Sequence, residues 1–79
     1  MSKLQELIDI ANKEYDGHFT LLKFTTDWAC CFGTICETVI YSNYMAHGKT
    51  MNEAIRKCIK DRTDVYKIDR KIRNAKCLM

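Results

Sequence analysis

Five cysteines and two histidines are the residues of this chain best equipped for metal or nucleophilic chemistry. Cys30, Cys31 and Cys36 lie close together in sequence, and His18 or His47 would complete a four-ligand set for zinc. The spacing argues against such a site. Cys-Cys-x4-Cys is not the Cys-x2-Cys knuckle that lets two thiolates hold one ion. Adjacent residues on a strand point to opposite faces, so Cys30 and Cys31 cannot both reach the same metal. A catalytic thiol needs a neighbouring base and a setting that favours thiolate, and no spacing places His18 or His47 beside a particular cysteine. The reading is of reduced, largely buried thiols, with no metal and no cofactor. His18, directly after Gly17, suits a helix cap or a sheet-edge hydrogen bond, and His47, before Gly48, reads as a loop residue. Gly33-Thr34 alone is not a phosphate loop, because no Gly-x4-Gly-Lys-Ser/Thr pattern accompanies it.

Two stretches have the character of recognition surfaces instead. Thr25-Thr26-Asp27-Trp28 gathers two hydroxyls, a carboxylate and an indole. At a hairpin tip, Asp27 and Trp28 would form a contact patch. The competing reading makes Asp27 a turn former and Trp28 the largest core side chain. The second stretch is the basic C-terminal segment. Residues 1–50 carry four lysines against six acids, a net −2; residues 51–79 carry nine Lys or Arg against four acids, a net +5. Tyr66, Lys67, Arg70, Lys71, Arg73 and Lys76 supply cations and one aromatic ring, suited to phosphate contacts and stacking. Asp69 lies one helical turn before Arg73 and can pair with it, as on a solvated helix face. Val65, Ile68 and Ile72 form an apolar stripe on the same segment, suited to packing against a partner protein.

The elements that must carry these residues follow from periodicity. Ser2 and Gln5 have capping-box spacing, and Leu4, Leu7, Ile8, Ala11 and Tyr15 form one helical stripe that Asp16-Gly17 stops. His18–Thr26 and Trp28–Cys36 read as two strands of a hairpin turning at Thr26-Asp27. Leu21-Leu22 breaks the alternation, which predicts a twist or bulge there. Gly33 suits a close approach or a bend. Residues 37–48 are compatible with both a short helix and a third strand. Thr50 and Glu53 form a second capping box, followed by the stripe Met51, Ala54, Ile55, Cys58 and Ile59. Thr63-Asp64 divides one long helix from two consecutive ones. The fold class is α+β, a small antiparallel sheet with helices over one face and a basic helical extension over residues 62–79.

Seventy-nine residues make one domain with one small core, which leaves little room for an enclosed active site. With 47% hydrophobic and 29% charged residues the balance is that of a globular chain. No apolar run approaches the roughly 18 residues of a membrane span, and the N-terminal stretch lacks the apolar region of a signal peptide. An odd number of cysteines gives no complete disulfide framework, and Cys77 stands one position too late for a prenylation signal. A cytoplasmic location follows as the expectation. A hairpin needs covering, by helices or by a second subunit, so a homodimer is one way to complete the fold.

Gly17-His18, Thr20, Phe24-Thr25-Thr26, Trp28 and Phe32-Gly33-Thr34, with Gly48-Lys49-Thr50 and Glu53-Ala54, resemble a pattern of small uncharacterised proteins of bacteria and their phages. In these, a GHxTxxxFTTxWxxxFGT hairpin stands between an N-terminal helix and a GKTxxEA helix. The resemblance covers about residues 4–60 and assigns no residue a role. It implies an accessory protein of the kind mobile elements carry, which act by binding host macromolecules. The expectation is a non-enzymatic protein that binds a host protein complex, such as a defence system of the CRISPR class. The alternative is a non-specific nucleic-acid binder that uses the basic C-terminal helix.

Overall fold

The computed structural model describes residues 2–77, with the side chains of 2–75. Helix α1 spans Lys3–Glu14, strands β1 Phe19–Lys23 and β2 Trp28–Phe32, and helix α2 Thr38–Tyr41. A 3₁₀ turn, Ser42–Tyr44, leads to strand β3, Ala46–Gly48, then helices α3, Met51–Asp61, and α4, Val65–Cys77. The fold is α+β. Residues 37–48 hold both a short helix and a short strand, because Glu37 caps Val39 and Ile40 (2.8 and 3.1 Å) before the chain returns to the sheet.

The sheet is antiparallel, in the order β1-β2-β3. The register runs unbroken from Phe19↔Phe32 to Lys23↔Trp28, so of the twist or bulge expected at Leu21-Leu22 the bulge is absent. Helices lie on both faces of the sheet, not on one. Leu21 joins a cluster with Leu7, Ala11, Cys30, Phe32, Ala54, Ile55 and Cys58, between the sheet and α1 and α3. Leu22 joins a second cluster, with Ala29, Cys31, Met45 and Ile68, beneath α4 and residues 35–45. Two consecutive leucines serve two cores, and the sheet stays regular because both faces have apolar surface to receive them.

Both helix starts anticipated from capping spacing are made. Gln5 N–H donates to Ser2 Oγ and Glu53 N–H to Thr50 Oγ1, each at 3.1 Å. After α1, Gly17 takes φ +83° and its N–H returns to Ala11 O at 2.8 Å. After α3, Arg62 adopts the left-handed conformation (φ 48°), and Thr63 N–H donates to Cys58 O (3.1 Å). Asp64 then caps α4 by accepting from Lys67 N–H at 2.9 Å. The basic segment thus carries a helix of its own, separated from α3 by a tight turn and anchored by Ile68, 1% exposed.

The turn is also stitched into the sheet. Phe32 N–H donates to Thr63 O (2.8 Å), a parallel bridge where β3 is too short to reach. This satisfies a backbone donor that would otherwise be orphaned beside the core. Gly33 makes the approach possible: at φ +90°, a Cβ there would lie 2.8 Å from Val65 Cγ1.

Gly33→Ala combines a strained φ with that clash, and about 1–3 kcal/mol of lost stability is expected in urea unfolding. Ile68→Ala should cost about 2–4 kcal/mol in the same measurement, since it empties the centre of the second core.

Candidate functional site

Three of the cysteines are structural in their surroundings. Cys30 and Cys31 are buried on opposite faces of β2, and Cys58 is buried in α3 on the Cys30 side. Burial pushes the Cys31 thiol up from about 9.0 to about 12, with Cys58 adding to the rise. The Cys58 thiol is also raised, by the neighbouring Cys30 thiol first and then by burial. Neither is poised as a thiolate. Among the described residues, no three His, Cys, Asp or Glu side chains gather as a metal site. Cys36 is the exposed thiol among those described.

Among the described residues, two clefts of about 400 Å³ each open at the surface. The first lies between the end of α1, the end of β2 and the start of α4. Tyr15 stacks on Phe32 at its floor (centroids 4.4 Å, planes 7° apart), and Tyr66 lines its edge. Burial raises the Tyr15 hydroxyl, with the carboxylates of Asp64 and Glu14 adding to it. Two of its carboxylates have structural partners: Asp64 caps α4 and accepts from Tyr15 Oη at 3.4 Å, and Glu14 pairs with Arg62 at 3.4 Å. His18 Nδ1 is 3.4 Å from Thr34 Oγ1 at the same end of the sheet.

The second cleft is lined by Asp27, His47, Lys49, Glu53 and Lys57. His47 is not a loop residue: it sits in β3, with Nδ1 2.6 Å from Asp27 Oδ2 and Nε2 2.6 Å from Ser42 O. The imidazole ties the hairpin loop to the 3₁₀ turn. Glu53 is held low by the hydrogen bond and charge of Lys57, 3.3 Å away. Trp28 is half-buried against the first core, with the Lys23 ammonium 5.7 Å over its ring. The tip residues Asp27 and Trp28 are therefore engaged within the fold. Asp27 lines a different cleft from Tyr66, so the two recognition stretches are not assembled into one surface.

The remaining predicted residues share one helix. Tyr66 is 72% exposed, and Lys67, Arg70, Lys71 and Arg73 are exposed along α4. The side chain of Lys76 lies outside the described residues. None of the four cations has a carboxylate partner among the described residues. The anticipated Asp69–Arg73 pair is not formed; Asp69 accepts instead from the hydroxyl of Tyr41, on α2. That bond is the main cause of the raised Tyr41 hydroxyl, followed by burial and the nearby Cys36 thiol. The apolar stripe is consumed inside the molecule: Ile68 is in the second core, Ile72 packs against it, and Val65 contacts the Gly33 position. Neither Asp27–His47 nor Tyr41–Asp69 has a signal in the sequence, because 20 and 28 positions separate the partners.

Comparison with protein-family models, with curated proteins and with solved structures gives no match. No helix among the described residues is long and apolar enough to cross a membrane.

The Cys31 shift sets an alkaline limit. A thiol raised in the folded state contributes its full stability below its unfolded value and loses it as pH rises towards the folded one. Stability should hold up to about pH 9 and fall between about 9 and about 12. Cys31→Ala should make that decline less steep in urea unfolding followed against pH, with the raised Cys58 thiol carrying the remainder.

Proposed function

We propose that this protein is a small non-catalytic accessory protein of the cytoplasm that binds nucleic acid through the outer face of α4. The observation that carries the reading is the division of that helix. Its apolar side is spent on the molecule's own core, while Lys67, Arg70, Lys71 and Arg73 stand exposed without carboxylate partners among the described residues. A row of cations on a helix anchored at Ile68 suits a phosphate backbone, which rewards charge and reach over shape. Tyr66, exposed at the start of the same helix, adds a ring able to stack on an unpaired base. The net +5 of residues 51–79 gives the long-range attraction. The resemblance to phage and bacterial accessory proteins supports a setting in which such binding acts on host macromolecules.

A second reading, binding to a host protein complex, is favoured by one specific feature. Val39 and Ile40 on α2 are 75% and 43% exposed, an apolar pair on the helix that Tyr41 ties to α4. On that reading the cations of α4 meet an acidic protein surface beside an apolar contact.

Fluorescence anisotropy with duplex and single-stranded oligonucleotides distinguishes the two. Nucleic-acid binding predicts affinity that falls steeply with salt for the parent chain. Arg70→Gln with Lys71→Gln should weaken it and make the log–log salt slope shallower by about 2. Lys13→Gln, on the exposed side of α1, should leave it unchanged. Absence of binding at low salt overturns the nucleic-acid reading and turns attention to the Val39–Ile40 surface.

A further inference from the structure

Helix α4 contains one acidic residue, Asp69, among its cations. By position alone it should pair with Arg73, the next turn along, and so remove that guanidinium from any anion outside. The structure directs the carboxylate elsewhere. Its Oδ1 accepts from the Tyr41 hydroxyl, and Asp69 is half-buried beneath α2 while Arg73 stays exposed.

Both ends of that hydrogen bond are fixed. Tyr41 is the last residue of the single turn of α2, which Glu37 caps, and the Tyr41 N–H returns to Glu37 O at 3.2 Å. Its ring packs against the second core, as does Ile72 on α4. Asp69 directly follows Ile68, the buried anchor of the helix. A hydrogen bond from a hydroxyl to a carboxylate, with both partners held by packing, outweighs an exposed ion pair between two mobile side chains.

We propose that Tyr41 is a positioning residue for the nucleic-acid face: by binding Asp69 it keeps the one carboxylate of α4 away from Arg73, leaving Arg73 free to meet a phosphate. This rests on the reading of α4 given above. Removing the hydroxyl frees Asp69 to swing outward and pair with Arg73, and the face loses one cation without any cationic residue being changed. The apolar ring of Tyr41 would keep its place in the core.

The test is a double-mutant cycle read by anisotropy with a fluorescent duplex at low and physiological salt. The four chains are the parent, Tyr41→Phe, Asp69→Asn and the double variant. With Asp69 in place, Tyr41→Phe should weaken binding by about 3- to 10-fold and make the salt slope shallower by about 1. Added to Asp69→Asn, the same substitution should change neither, because no carboxylate remains to pair with Arg73. An equal loss in both backgrounds would mean that Tyr41 acts only by holding α2 in place, and the inference falls. Tight parent binding with an unaltered Tyr41→Phe variant retires this inference alone. A parent that does not bind the duplex overturns it together with the reading on which it rests.

Discussion

Strand β2 has to serve two hydrophobic cores with five residues. Its side chains alternate between the face under α1 and α3 and the face under α4, and four of the five are fully buried. Its backbone is shared as well, with β1 along one edge and with β3 and then Thr63 along the other. A strand in this position must be apolar at consecutive places and small in the middle, so that helices can close on it from both sides. Trp-Ala-Cys-Cys-Phe meets those demands. The large rings stand at the ends, where Trp28 reaches the surface beside Lys23 and Phe32 stacks on Tyr15.

This constraint explains the cysteines better than chemistry does. Free cysteine behaves as a small apolar side chain when buried, and a strand squeezed between helices has use for two of them. With Cys58 facing Cys30 across the first core, three thiols are raised, buried or both, and are protected from the conditions that make a cysteine reactive. Distinctive residue types thus end up in the centre, while the surface that offers chemistry to a partner is assembled from ordinary lysines and arginines on the last helix.

What could be read from the sequence was local. Capping boxes at Ser2 and Thr50 and the Gly17 stop are short-range backbone rules, and they place helix ends; Thr63-Asp64 fits one long helix as well as two, and the left-handed Arg62 decides for two. The opposed directions of Cys30 and Cys31 follow from the strand period. Two-sided burial was not legible, because Leu21-Leu22 looks the same whether it marks a bulge or a strand with two covered faces. The site residues divide in the same way. The exposed cations of α4 were identifiable from helical periodicity, but the role of Asp69 was not. Its competing partner Tyr41 is brought in by tertiary packing, and a helical-wheel argument has no knowledge of it. His47 was misplaced for the same reason: its partners Asp27 and Ser42 meet it only once β3 has joined the sheet.

The turn between α3 and α4 has a consequence for how this molecule can vary. Asp64 fixes where α4 begins, and Ile68, one turn later, fixes which way it faces. Between them the helix has a set phase. One residue inserted there would rotate everything beyond by about 100°, bringing cations toward the sheet and exposing apolar side chains. Length changes in the loop Phe24–Asp27 rotate no helix; what they disturb is local, the Asp27–His47 contact and the seat of Phe24 on the second core. The outer face of α4 is therefore free to change residue by residue but not by insertion, and its charge pattern is locked to the register of the core beneath it.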